Sequence, residues 1–411
     1  MNIWLINHYA VPPSEPGGTR HFAFAKKLME RGHRVLIVAS SFNHTLRKET
    51  RSTEGGVYRY EEIGGVPFLW VRTPPYSGNT AARVWNMSVF SWRVFQLATS
   101  PFLANWGKPD VVWASSPHLF TGLAGERLAR RLKIPFLFEV RDLWPESLIA
   151  LGGLSPRHPF IITLDQIERY LYRNADHIVT LLPLASEYIQ AKGADPNKIS
   201  WLPNGVDLEN VPQPEPPEPK DEFTILYAGT HGLANGLDIL LDAAAILSEK
   251  KQAQHIRFRL VGDGPEKPRL RSRAEQLGLR NVSFEDPVPK QDVYRLLASG
   301  DALVAILKDA DLFSKWGVSP NKIFDYMAVA RPVLFAISAP ANPVEEAGAG
   351  IAVPSNDPVA IANAVLKLAQ MTPQERWEMG LRGRRYVEEK HAFNVLVDRL
   401  DELLRQMVEG S

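Results

Sequence analysis

The chain has 411 residues, enough for two domains of ordinary size, and its 45% hydrophobic and 23% charged residues are the composition of a globular protein. A net charge of +1 gives no reason to expect nucleic acid as a partner, and the lack of cysteine excludes disulfides and thiolate chemistry. No run approaches the roughly 20 apolar residues that span a bilayer. The opening MNIWLINHYAVPPSEPGG has no basic region ahead of its short apolar run, so it reads as a strand and not as a signal peptide.

The first strand, IWLIN, leads into the loop NHYAVPPSEPGGTRHFAFAKKL. Gly17 and Gly18 precede an amphipathic helix, where backbone N–H groups could approach an anion closely, and Arg20 would add a forked cation. Glycines of a tight turn explain the pair equally well. The loop is too long for a dinucleotide fingerprint, and GxGxxG is absent. After the strand RVLIVAS, residues 83–106 (RVWNMSVFSWRVFQLATSPFLANW) depart from the rhythm: they are rich in Trp, Phe and Val, carry only Arg83 and Arg93 as charges, and break at Pro101. They read either as a core or interdomain helix, or, over 84–103, as an apolar face that lies on a membrane or grips a lipid tail.

The strands DVVWASS and PFLFEV follow. PFLFEVRDLWPESL then sets Arg141, Asp142 and Glu146 just past a strand, where an α/β domain keeps its reactive groups; a helix N-cap is the plainer role for Asp142. HIVTLL and ISWLP close the first half, and LPNGVDLENV supplies a turn at Asn204-Gly205 and then Asp207. NVPQPEPPEPKDEF, with five prolines between Pro212 and Pro219, is a stiff, extended connector that marks a boundary near 210–220.

In the second half FTILYAG, IRFRLVG, VSFED, ALVAIL, RPVLFAI and GIAVP alternate with helical patterns. LYAGTHGLANGLDILLDA runs strand, glycine loop, helix, so Gly229, Gly232 and Gly236 with His231 and Asn235 form a second backbone-lined anion site; RLVGDGPEKPRL repeats the pattern around Asp263. In SPNKIFDYMAVARPVL, Ser319 is a good N-cap and Pro320 suits the first helical position. A lysine in the next turn opposes the helix dipole unless an anion sits there, so Lys322 points to a phosphate. Asp325 shares its face about 4.5 Å further along the axis, a spacing that suits a ribose attached to that phosphate. A surface Lys–Asp pair is the alternative. The strand–helix alternation predicts α/β domains with parallel sheets, two Rossmann-like units of similar size whose ligands bind beyond the carboxyl ends of the strands.

In their order these elements resemble retaining glycosyltransferase family 4. The likeness runs essentially the full length and is carried by Gly17-Gly18, EVRDLWPES, ADHIVTL, LPNGVD, LYAGTHGLANGLD, LVGDGPEKPRL, SPNKIFDYMAVARPVL and GRRYVEEKHAFN. It is greatest to the fucosamine and amino-sugar transferases of bacterial surface polysaccharide synthesis. The resemblance implies the GT-B fold, two facing Rossmann-like domains with an interdomain cleft: an acceptor-side domain over 1–210 completed by the terminal helix 388–411, a linker over 211–220, and a nucleotide-sugar domain over 221–387. It implies that Gly17, Gly18, Arg20, Gly229, His231, Asn235, Gly236, Asp263, Ser319, Asn321 and Asp325 hold the donor, and that Asp142, Arg141 and Lys322 serve the transfer.

Asp325 matches the second glutamate of the family's Glu-x7-Glu motif, and Gly317 stands where the first would be. The basic pair that many members carry in the second glycine loop is replaced near Thr230 and Asn235, which leaves phosphate charge to Arg20 and Lys322. The implied reaction moves a sugar, an amino sugar by the subgroup likeness, from a UDP-sugar to a hydroxyl of a saccharide or polyprenyl-diphosphate-linked acceptor, with retention at the anomeric carbon. In the family the leaving phosphate oxygen is thought to take the acceptor proton, so Asp142 would orient hydroxyls, and Arg141 stands where many members have His beside the donor sugar. No DxD pair or His cluster marks a metal site, and no cofactor is implied beyond the donor itself. The implied location is cytoplasmic, peripheral at the inner face of the plasma membrane. A nucleotide-sugar epimerase of the same fold and a non-catalytic partner protein are the rival readings.

Overall fold

A computed structural model describes residues 1–78, 81–218 and 220–410; Pro219 of the expected linker and Ser411 of the expected terminal helix lie outside them. The chain divides into two units, Met1–Pro203 with Phe393–Ser411, and Asn204–Ala392.

The first unit is built on the strands β1 (Asn2–Ile6), β2 (Arg34–Ser40), β3 (Phe42–Asn43), β4 (Lys48–Glu49), β5 (Tyr58–Ile63), β6 (Val66–Val71), β7 (Val111–Ser115), β8 (Phe136–Val140), β9 (His177–Thr180) and β10 (Ile199–Trp201). Its main sheet has the order β10-β9-β8-β7-β1-β2-β6-β5. β1 lies between β2 and β7, in register Ile3 with Val35 and Val111. Every pairing in this sheet is parallel except that of β5 with β6. Continuous runs of Ile, Val, Leu and Trp form these strands because both faces are covered. One face packs Ile3, Leu5, Ile37 and Trp113 against Phe24 and Leu28 of the helix Arg20–Glu30 and Leu396, Leu400 and Leu404 of the helix Phe393–Glu409. The terminal helix thus completes the first unit's core, each buried leucine contributing about 1.5–3 kcal/mol.

The segment 83–106 is helical over Ala81–Gln96 and Pro101–Trp106, interrupted by a short 3-10 turn at Leu97–Thr99. Its apolar residues divide between two faces. Met87, Phe90, Val94 and Leu97 are buried, so Phe90 belongs to the core and not to an outward face, whereas Trp85 and Trp92 are 62% and 61% exposed.

The second unit holds β11 (Phe223–Ala228), β12 (Ile256–Val261), β13 (Val282–Glu285), β14 (Ala302–Ile306), β15 (Val333–Ala336) and β16 (Gly350–Val353), all parallel in the order β13-β12-β11-β14-β15-β16. The unit begins ahead of the expected boundary. Asn204 donates from its backbone to Ser319 Oγ and from Nδ2 to Ser319 O, and Val206 bridges to Ala392. The proline-rich stretch is held in the same unit, where Arg331 Nη1 donates to Glu215 O. At the other end the helix Pro373–Lys390 stops before His391, whose Nδ1 lies 3.0 Å from Asn204 O, so residues 388–392 of the expected terminal helix belong to the second unit.

Candidate active site

In the first unit the loop after β1 turns at Gly17, whose φ of +142° and whose closeness to Val11 (2.8 Å from an ideal Cβ) leave no room for a side chain. Beside it, an ideal Cβ on Gly18 would lie 3.6 Å from Arg141 Nη2. The guanidinium against Gly18 is therefore that of Arg141. Its backbone N–H donates to Ser116 Oγ at the end of β7, which anchors the residue just past β8.

Arg20 does not stand where a phosphate could use it. It is 3% exposed, and its guanidinium donates from Nε to Glu139 Oε1, from Nη1 to Pro203 O and from Nη2 to Leu202 O. Its role is to tie the first helix to β8 and to the end of the unit. Burial alone would push the Glu139 carboxyl up, but Arg20 and His21 outweigh it and hold Glu139 well below the usual carboxylate range. Asp142 accepts from Ser147 Oγ at 2.9 Å, and burial raises its pKa against that hydrogen bond. It caps no helix: the short helix Glu146–Ala150 has Pro145 at its cap position.

In the second unit the sites converge at the carboxyl ends of β11 and β12. Gly229 has φ +153°, and an ideal Cβ there would lie 3.0 Å from Lys322 Nζ and 3.3 Å from Tyr227 Oη. The next loop presses on it from the other side: a Cβ at Gly262 would lie 1.9 Å from Gly229 O, and one at Gly264 2.4 Å from His231 O. These glycines let two backbones touch. His231 N donates to Asp263 O, while the exposed Asp263 carboxylate accepts from Gly264 N. The His231 ring is buried with neither nitrogen hydrogen-bonded among the described residues, and burial, then Lys267, lower its pKa to about 4. It is neutral at ordinary pH, with Tyr227 and Phe284 beside its ring. Asn235 N donates to Gly232 O, and Gly236, at φ +60°, opens the helix Leu237–Ser248.

The helix Asn321–Ala328 starts two residues after Ser319, with Pro320 at the cap position and no side chain capping it. Ser319 is thus not the N-cap, because its hydroxyl and carbonyl are taken by Asn204. Gly317, at φ +79°, ends the preceding helix Asp311–Trp316 and puts no carboxylate there.

Lys322 and Asp325 do not pair. Lys322 Nζ donates to Tyr227 Oη at 3.1 Å and lies 4.3 Å from the centre of that ring, while Tyr227 Oη donates to Thr230 O. Asp325 Oδ1 accepts from Tyr294 Oη at 3.1 Å. Burial lowers the lysine to about 8, and burial raises the aspartate to about 6 against the opposing pull of Tyr294 and Lys290. A surface ion pair would show neither shift. Sequence reasoning missed Tyr227, Tyr294, Lys290 and Asn204; Tyr227 and Asn204 lay inside quoted motifs, read as strand and turn. Among the described residues no group of three or more His, Cys, Asp or Glu side chains is placed to hold a metal ion.

Two Rossmann-like units in this order make the GT-B fold. HepE of Anabaena, solved in complex with UDP, shares it at a TM-score of 0.69 over 99% of this chain and 100% of that one, at 16% identity. Residues 17–205 match the glycosyl transferase 4-like domain, and residues 222–371 match the glycosyl transferases group 1 family. Both halves of the chain are thus glycosyltransferase-type domains. The probable glycosyltransferase WbjE of Pseudomonas aeruginosa is 24% identical over 64% of this chain, which spans just under two thirds of that relative (66%). The putative colanic acid biosynthesis glycosyl transferase WcaI of Escherichia coli K12 is 24% identical over 74% of this chain and 75% of its own length.

Proposed function

We propose that this protein is a retaining glycosyltransferase that moves a sugar, an amino sugar by its subgroup likeness, from a UDP-sugar to a hydroxyl of a lipid-linked or saccharide acceptor in bacterial surface polysaccharide synthesis. The observation that carries the reading is Lys322: a partly buried ammonium over a glycine turn, at the start of a helix without a side-chain cap, hydrogen-bonded to a phenol and, among the described residues, to no carboxylate. A cation kept out of water without a counter-charge is costly, and an anion at that helix start offsets the cost. The relative named for colanic acid biosynthesis and the UDP complex of the HepE neighbour support the choice of pathway and nucleotide.

In this reading the leaving diphosphate gathers charge as the glycosidic bond breaks, and Lys322 with the helix amides stabilises it. The phosphate oxygen takes the acceptor proton; Asp142 orients hydroxyls and Arg141 lies near the donor sugar. Arg20 drops out of the donor set. The exposed Trp85 and Trp92, seven residues apart on one helix face, support a peripheral contact with the cytoplasmic membrane surface through 84–103.

A transfer assay with UDP-sugars tests the reading, with and without glycosyl acceptors. Product that forms only when an acceptor is supplied, with slow donor hydrolysis in its absence, is expected. Conversion of the donor alone into a second nucleotide sugar would make the protein an epimerase.

A further inference from the structure

We infer that Tyr294 is a positioning residue of the donor site: by donating to Asp325 Oδ1 it fixes the plane of that carboxylate, so that its remaining acceptor sites meet a ribose diol. The inference rests on the nucleotide reading of Asp325 given above. Its ground is geometric. Tyr294 lies on a separate element, the helix Val293–Ala298, and reaches Asp325 at 3.1 Å. An ionised carboxylate has about four acceptor directions. A vicinal diol needs two of them in a set orientation, and an aspartate rotates freely about its last bond unless something holds it.

The groups that face this carboxylate are few. Tyr294 comes from its helix, Lys290 from the turn Lys290–Asp292, and Asp207 lies near the Tyr294 phenol from the segment after Asn204; Tyr326 and Lys322 share the helix of Asp325. The phenol and Lys290 favour the ionised form, and burial opposes it. Removing the phenol hydroxyl therefore both frees the carboxylate to rotate and makes it harder to ionise. A residue that merely packs would do neither.

Calorimetric titration of the full chain with UDP and with 2′-deoxy-UDP, from pH 5 to 8, tests this. In Tyr294→Phe the affinity for UDP should fall about ten-fold, the size expected for one hydrogen bond to a charged group. The preference for UDP over its 2′-deoxy form should shrink, and the acid limb of UDP binding should move to higher pH. Titration of the ligand's own phosphate is common to both proteins and cancels in the difference. In an Asp325→Asn background Tyr294→Phe should add little. Unchanged ribose preference and acid limb would overturn the inference, as would equal losses for both ligands with a lowered melting temperature. A wild-type chain that binds no nucleoside diphosphate would instead remove the donor reading on which it rests.

Discussion

Lys322 stands against Tyr227 and Gly229, and in the proposed donor site these surroundings fix what its loss should do. Lys322→Ala should weaken UDP binding far more than uridine binding, because the lost contact is with the diphosphate. Turnover should fall about 10²–10³-fold, the usual effect of losing one donor to a charge that grows in the transition state. The sign with pH follows from burial. A lysine near 8 in the fold and near 10.4 in the unfolded chain disfavours the fold while both are protonated. Unliganded stability of the wild type should therefore rise between about pH 8 and 10.5, and Lys322→Met should lack that rise. UDP affinity should fall over the pH range where the ammonium loses its proton. Melting temperatures and titrations across that range check both; a flat wild-type profile would mean that Lys322 is solvated like any surface lysine. At this scale the sequence pointed to an anion at Lys322, with a surface Lys–Asp pair as the alternative, but not to what holds the lysine, since Tyr227 lies 95 positions away and nothing local links the two.

At the scale of elements, what was legible depended on whether the signal was local. Each strand flanked by a glycine loop and a helix was readable from an apolar run and its punctuation, and so was the break at Pro101. The hairpin β5–β6 was not expected, although Gly64-Gly65 between YRYEEI and VPFLWV is a two-residue turn with both glycines at positive φ. The strand–helix rhythm around it masked a period-2 signal. The helix Ala81–Gln96 shows the opposite difficulty. Its composition gave the right suspicion of an apolar surface, but which side chains face out depends on what the helix packs against. Phe95 lies partly buried beneath the Arg131 guanidinium and Phe90 is core, so the test falls on the two exposed tryptophans. Trp85→Ser with Trp92→Ser should reduce flotation with anionic liposomes while UDP affinity and melting temperature stay unchanged. Loss of stability in that pair would show that the tryptophans are packed, and flotation equal to the wild type would exclude this face as a membrane contact.

For the whole molecule the sequence carried the class of fold through a single pattern, parallel strands alternating with helices on both sides of a proline-rich segment. It misplaced the division because prolines mark stiffness, whereas the unit boundary is set by hydrogen bonds from Asn204 and His391 that pull both ends of the second unit together. That architecture bears on catalysis through where it puts positive charge. Parallel sheets end in loops and helix starts that present backbone N–H groups, and here Lys322 stands beside Gly229 among them. A magnesium ion on a nucleoside diphosphate takes oxygens from the phosphates and from one or two carboxylates of the protein. The groups argued above to meet the diphosphate are amides and an ammonium, which repel a cation until the substrate arrives. Transfer should therefore persist in excess EDTA at a rate close to that of the untreated enzyme, and added magnesium should leave the rate constant for sugar release within about two-fold. Loss of transfer in EDTA with recovery on magnesium would mean that charge on the leaving diphosphate is neutralised by a metal, and the account built on Lys322 and the helix amides would fail.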